Sequence, residues 1–189
     1  MMKRLFTVIL LSFGIGFALQ AQTLPVEPDK SPMDMSYHPF GYPILKVQNP
    51  RTTQSPKARV IYSRPQKNGR TVFGGIVPFG DVWRLGANEN TEIEFFQAVH
   101  IANKRIEKGR YSLFAIPQEG KWTIILNKNL DSWGSFSYDS RQDVLRTEVS
   151  TSGVESPFEF FTMLFDGNGS LIMAWDNIKA ILPIRYSGK

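Results

Sequence analysis

The chain has no cysteine in its 189 residues and only two histidines. Without cysteine there is no disulfide framework, no thiolate metal ligand and no thiol nucleophile. His38 and His100 stand far apart, outside any H-x-H or HExxH spacing. A histidine-based metal site or a Ser-His-Asp triad therefore has no support, and Ser112 and Ser137 lack a G-x-S-x-G context. Charge of one sign is scarce as well. The 22 Lys and Arg against 17 Asp and Glu give +5, and two of the basic residues, Lys3 and Arg4, lie in the opening segment. No basic cluster is interleaved with stacking aromatics, so nucleic acid is not an expected partner. Nor does any window of a dozen residues carry a helical apolar stripe.

What is present leans towards strands. The hydrophobic fraction is 42%, and it favours Phe, Ile, Val, Trp and Tyr, which suit a pleated, half-buried surface. The length suits one domain with a core of its own. Residues 1–21 have the layout of a secretory signal: Lys3 and Arg4, an apolar run from Leu5 to Leu19, then small and polar residues, with cleavage expected after Ala21. The alternative, an uncleaved anchor, fits less well, because the run is short and Gly14 and Gly16 interrupt it. An exported, soluble protein with no span after cleavage is the expectation. Residues 22–56 form a Pro-rich segment whose seven prolines exclude a long helix or a central strand. Its middle, MDMSYHPFGYPIL, is too apolar for a free linker and reads as an extended arm docked on the domain, or on a protein partner.

From Lys57 onward, short alternating runs are separated by turn residues. Strands are expected at Ala58–Ser63, Thr71–Ile76, Thr91–Val99, His100–Ile106, Gly109–Ile116, Trp122–Asn127, Val144–Val149, Phe158–Phe165, Leu171–Trp175 and Lys179–Ile184. Asn68-Gly69 and the run from Asp166 to Gly169 supply hairpin turns. Residues 57–189 thus read as an all-β domain, an antiparallel β-sandwich of jelly-roll-like type. The DGNGS turn fails as a calcium loop, because its sixth and twelfth positions hold Leu171 and Asn177.

Several blocks carry a family resemblance. They are Y-S-R-P from Tyr62, V-P-F-G-x-V-W-R-x-G-A-N-E from Val77, K-G-R-Y-S-L-F-A-I-P from Lys108, W-T-I-I-L-N from Trp122, W-G-S-F from Trp133 and A-W-D from Ala174. Together they resemble the DUF2911 family over about Ala58 to Ile184. That is a family of domains of unknown function, found mainly in exported proteins of Bacteroidetes-type bacteria. The resemblance implies export and supplies no activity to carry over.

Chemistry concentrates in DVWRLGANENTEIEF, residues 81–95. Trp83 offers a ring and one N–H, Arg84 a planar fork of donors, Asn88 a donor and an acceptor, and Glu89 a carboxylate. With Arg64 and Arg70 these compose a polar pocket with one aromatic wall, suited to a glycan or to a small carboxylate or phosphate. The competing reading buries Trp83 in the core and pairs Arg84 with Glu89 to pin a tight corner. A second candidate region is the long break at 128–143, where Trp133 and Tyr138 could provide a ligand platform or simply close the loop over the sheet. Carboxylates are available for hydrolysis at Asp81, Glu89, Glu92, Glu94, Asp131 and Asp139. Glu92 and Glu94, however, alternate with Ile93 and Phe95 and should face solvent. The expectation is a non-enzymatic envelope module binding a glycan or other polar small molecule. Its site would comprise Trp83, Arg84, Asn88, Glu89, Arg64, Arg70, Trp133 and Tyr138, with no metal and no cofactor. The alternatives are a structural or interaction module and a carboxylate-dependent hydrolase.

Overall fold

The computed structural model describes residues 27–51 and 55–186; the leader read at 1–21 lies outside the described residues. These residues form β1 (Met33–His38), α1 (Tyr42–Gln48), β2 (Ala58–Ser63), β3 (Glu92–Phe95), β4 (Val99–Ile101) and β5 (Lys104–Ile106). There follow β6 (Gly109–Gln118), β7 (Lys121–Asn127), a 3-10 turn at Ser140–Gln142, β8 (Asp143–Phe165), β9 (Leu171–Leu182) and β10 (Ile184–Tyr186). The protein is all-β. Seven strands form one antiparallel sheet in the order β1-β2-β3-β6-β7-β8-β9, and β10-β4-β5 form a second. Strand order in the large sheet follows the chain, with the β4–β5 hairpin stepping out into the small sheet, where β10 returns from the end of the chain to pair with β4. The large sheet is thus a meander in its connectivity, and with the small sheet against the same core it makes the β-sandwich-like, antiparallel fold that the strand pattern predicts.

Period-two alternation explains most strands. In β2, Ala58, Val60 and Tyr62 are buried, while Arg59 and Ile61 lie on the other face. In β3, Ile93 and Phe95 point inward and Glu92 and Glu94 outward, as the alternation requires. Glu94 sits directly opposite Arg59 across the ladder and pairs with it. Val99, Ile101, Ile106 and Ile184 of the small sheet join the same buried cluster as the large sheet, so the two share one core.

Three departures from the strand pattern matter. β8 is one strand of 23 residues where two were expected, because register shifts around Gly153, Phe158 and Thr162 absorb the Gly and Pro that read as a break. β9 likewise joins two expected strands. The bent end of β8 returns to the start of the sheet: the Phe161 N–H donates to the Pro65 carbonyl at 2.9 Å and the Lys67 N–H to Glu159 at 2.7 Å. This contact curls the sheet around its core. Thr71–Ile76, expected as a strand, is instead a turn, closed by Ile76 N–H to Thr71 O at 3.1 Å and Val77 N–H to Val72 O at 2.9 Å.

The Pro-rich segment is only partly extended. Its first half supplies β1, an edge strand in full register with β2. Its second half forms α1, with Pro43 in the first turn, where a missing N–H costs nothing. Among the described residues, no helix is long and apolar enough to cross a membrane.

Candidate functional site

The corner at 81–91 is built from the backbone outward. The Trp83 N–H and carbonyl exchange hydrogen bonds with Ala115 of β6, at 2.8 and 2.9 Å. Its indole is only 7% exposed. The ring packs against Phe73, Trp122, Phe161 and Trp175, with centroids 5.0 to 6.0 Å apart, and Nε1 donates to the Gly86 carbonyl at 3.1 Å. Trp83 is core, not an aromatic wall of a pocket. The Thr91 hydroxyl donates to the Leu85 carbonyl and closes the corner.

The expected Arg84–Glu89 ion pair is not formed. Leu85 and Asn88 both take positive φ, 52° and 58°, and turn the chain between the two residues. Glu89 is exposed and its backbone bridges to Trp133. The Arg84 guanidinium is half-buried without an ion pair among the described residues, and its Nε has no hydrogen-bond partner there. Burial pulls its pKa below the usual arginine range.

Beyond the corner, the chain joins the long loop at 128–142. The Asn90 N–H donates to Ser132 O at 2.9 Å, and the Gly134 N–H donates to Asn88 O at 2.9 Å. The loop is held from below by buried Asn127, whose amide donates to the Asp139 carbonyl and Asp143 and accepts from the Asn129 N–H. A cleft of about 320 Å³ opens at this junction, lined by Met33, Ile61, Glu89, Asn90, Glu92, Asp131 and Ser132. Trp133, the residue after Ser132, is 57% exposed. At the cleft, Glu92 accepts from Arg110 Nε and from the Asp131 N–H, both at 3.0 Å, and Arg110 reaches Asp131 at 2.8 Å. Asn90 is 6% exposed; its amide donates to the Ser132 hydroxyl at 2.9 Å, and its Oδ1 has no partner among the described residues. The cleft is thus acidic, with one unused buried acceptor. Among the described residues no three His, Asp or Glu side chains are grouped to hold a metal ion.

Of the eight residues selected from the sequence, Asn88, Glu89 and Trp133 meet at this junction, where Asn88 also donates to Asp29 at 2.8 Å. The other five do not contribute. Arg64, just past β2, ties β1 to β8, through Asp34 at 3.2 Å, the Phe161 carbonyl at 3.3 Å and the Thr162 hydroxyl at 3.1 Å. Arg70 closes its own turn on the carbonyls of Gln66 and Lys67. Tyr138 packs edge-on against Phe114 and donates to Asp143 at 2.7 Å. Asn90 and Ser132 escaped selection because neither type stands out until the fold pairs them. Met33 and Ile61 reach the cleft only through the β1–β2 register, which places them two positions apart along the ladder.

A family model described as "Protein of unknown function (DUF2911)" matches residues 46–184. The chain belongs to the DUF2911 family. No curated protein and no solved structure matches it. The matched DUF2911 span contains every lining residue of the cleft except Met33, which β1 contributes from outside it.

A second, wider cleft of about 630 Å³ lies at the other end of β1 in this DUF2911 protein, lined in part by His38, Lys57, Ser170, Arg185 and Tyr186. The His38 ring is buried, 4.7 Å from the Tyr186 ring, and its Nδ1 has no partner among the described residues. Burial, then the nearby Lys57, lowers its pKa, and Asp166 opposes them weakly. The folded state therefore binds a proton less readily than the unfolded chain, whose histidine titrates near 6.5. Stability is full above that pH and falls as pH drops towards the folded value. Urea unfolding from pH 8 to pH 5 should show a loss that shrinks in His38→Phe, which keeps the ring contact. An unchanged pH dependence in that variant would remove His38 as the cause.

Proposed function

We propose that the domain is a non-catalytic binding module for a neutral or amino-bearing carbohydrate, acting in the cell envelope after export. The acidic cleft with its unused Asn90 Oδ1 carries this reading, and the exposed Trp133, which follows Ser132 of the lining and bridges Glu89 through its backbone, is the aromatic ring available next to it in the chain. A sugar presents an apolar C–H face to an aromatic ring, and its hydroxyls donate to carboxylates and amide oxygens. Glu89, Asp131 and the unused Asn90 Oδ1 are such acceptors. The same negative charge disfavours a phosphate or carboxylate ligand, and the arginines that would have held one are engaged elsewhere or buried. Lys3, Arg4 and the apolar run behind them favour export. A purely structural role would bury Glu89 and leave no concavity, which the cleft argues against.

Titration calorimetry against the neutral and amino sugars that score on a glycan array is the test. Trp133→Ala should weaken binding about tenfold or more and leave the melting temperature nearly unchanged, because the ring is exposed. Wild-type affinity in that variant, or no glycan bound by the wild type, would end the proposal. Because Glu89, Glu92 and Asp131 share the cleft, the bound glycan is also assayed for cleavage. Turnover lost in Glu89→Gln would replace binding with hydrolysis.

A further inference from the structure

The α1 helix presents its apolar side chains to solvent. None of its residues is buried. Ile44 and Val47, three apart and so on one helical face, are 64% and 78% exposed, and Phe40, just before the helix, is 79% exposed. A stable fold gains nothing from this arrangement by itself, and a patch of this kind marks a contact surface. The stretch of chain around it is one-signed. Residues 35–80 contain seven Lys and Arg and no Asp or Glu. Arg59, Arg64 and Lys67 pair with carboxylates from other segments, at Glu94, Asp34 and Asp176. Arg70 is spent on its own turn. The remaining three, Lys46, Arg51 and Lys57, are exposed and have no ion pair among the described residues. Lys46 and Lys57 line one groove with Leu45, and Lys57 continues into the wider cleft with Arg185.

We infer that α1 and its basic rim dock the domain onto an anionic lipid bilayer. Apolar side chains on a short helix enter the headgroup boundary while flanking lysines and arginines meet the lipid phosphates. A second copy of the chain is a poor occupant, since it would bring like charge against like charge. An uncharged surface would leave the basic rim unused. The two ends of β1 then divide the work. Pro39 and α1 follow its last residue, while Met33 at its first residue lines the carbohydrate cleft, roughly 17 Å away at strand rise. A bilayer-docked domain would keep that cleft clear of the lipid. The inference stands independently of what the cleft binds.

The test is co-sedimentation with vesicles, using the soluble form that cells produce from the full chain, its N terminus read by mass spectrometry. The wild type should partition onto phosphatidylglycerol-containing vesicles and not onto pure phosphatidylcholine, and added salt should release it. The pair Ile44→Asp, Val47→Asp and the pair Lys46→Glu, Lys57→Glu should each reduce partitioning about tenfold or more. All four side chains are exposed, so unfolding curves should match the wild type. Equal partitioning of wild type and variants, or no preference for anionic vesicles, would overturn the inference. So would self-association, or capture of a purified acidic protein, that Val47→Asp abolishes in the absence of vesicle binding.

Discussion

Trp83→Ala should destabilise the fold by about 3–5 kcal/mol, the range for removing a large aromatic from a packed core. That is a large part of the ~5–15 kcal/mol available to a domain. The indole touches rings from four separate segments, Phe73, Trp122, Phe161 and Trp175. Phe161 and Trp175 sit on the bent end of β8 and on β9, which the sheet must curl to bring back. A cavity there opens the contact between the two ends of the sheet, and the Gly86 carbonyl loses the indole N–H as a partner. Guanidinium unfolding should show a lower midpoint with an unchanged slope. Trp83→Phe, which keeps a ring, should cost distinctly less. A Trp83→Ala protein of wild-type stability that failed to bind ligand would return this residue to the site. With Trp133→Ala the two measurements separate cleanly, because that ring is exposed and should change binding alone.

What the sequence conveyed depended on how local the deciding interaction was. β2 and β3 were legible because alternation along a single strand decides which face is buried, and β7 because a short apolar run bounded by a turn reads as a central strand, buried on both faces from Ile124 to Asn127. The joined strand β8 was not, because Gly153 and Pro157 signal a break locally, and only pairing with β7 and then β9 carries the strand through it. The prolines at 39, 43 and 50 excluded a long helix correctly. They left room for α1, since a first-turn proline is pre-organised for a helix start. At the corner, five residues of separation made Arg84 and Glu89 look like natural partners. Positive φ at Leu85 and Asn88 sent them apart; asparagine tolerates that conformation, but nothing in a leucine side chain announces it. The cleft draws on β1, β2, the corner and the long loop. It is an assembly of distant segments: Glu89, Glu92 and Asp131 of its lining were visible beforehand as single carboxylates, and Asn88 and Trp133 as loop residues next to it in the chain, but not their convergence.

The segment TVFGGI shows the same tension and carries the second large effect. Val72 is fully buried, and Phe73 packs 5.1 Å from Trp122 and 5.9 Å from Trp83, so two of the residues that looked like strand do reach the core. What inserts them is a turn, and the two glycines permit it. A Cβ on Gly75 would lie 3.0 Å from the Thr71 carbonyl carbon and 3.1 Å from its Cβ, and closer still to the carbonyl oxygen. That oxygen accepts from the Ile76 N–H, so it cannot move aside without breaking the turn. Gly75→Ala should therefore cost about 2–3 kcal/mol, in the range of overpacking. The unfolded-chain entropy gained with alanine, about 0.4–1 kcal/mol, is too small to offset it. Gly167→Ala is the matched control: nothing lies within 4 Å of its Cβ. It should change stability by no more than about 0.5 kcal/mol in the same unfolding titration. A Gly75→Ala protein as stable as Gly167→Ala would mean that the Thr71 turn yields freely. The anchoring of Phe73 against Trp83 and Trp122 would then have to come from the sheet alone.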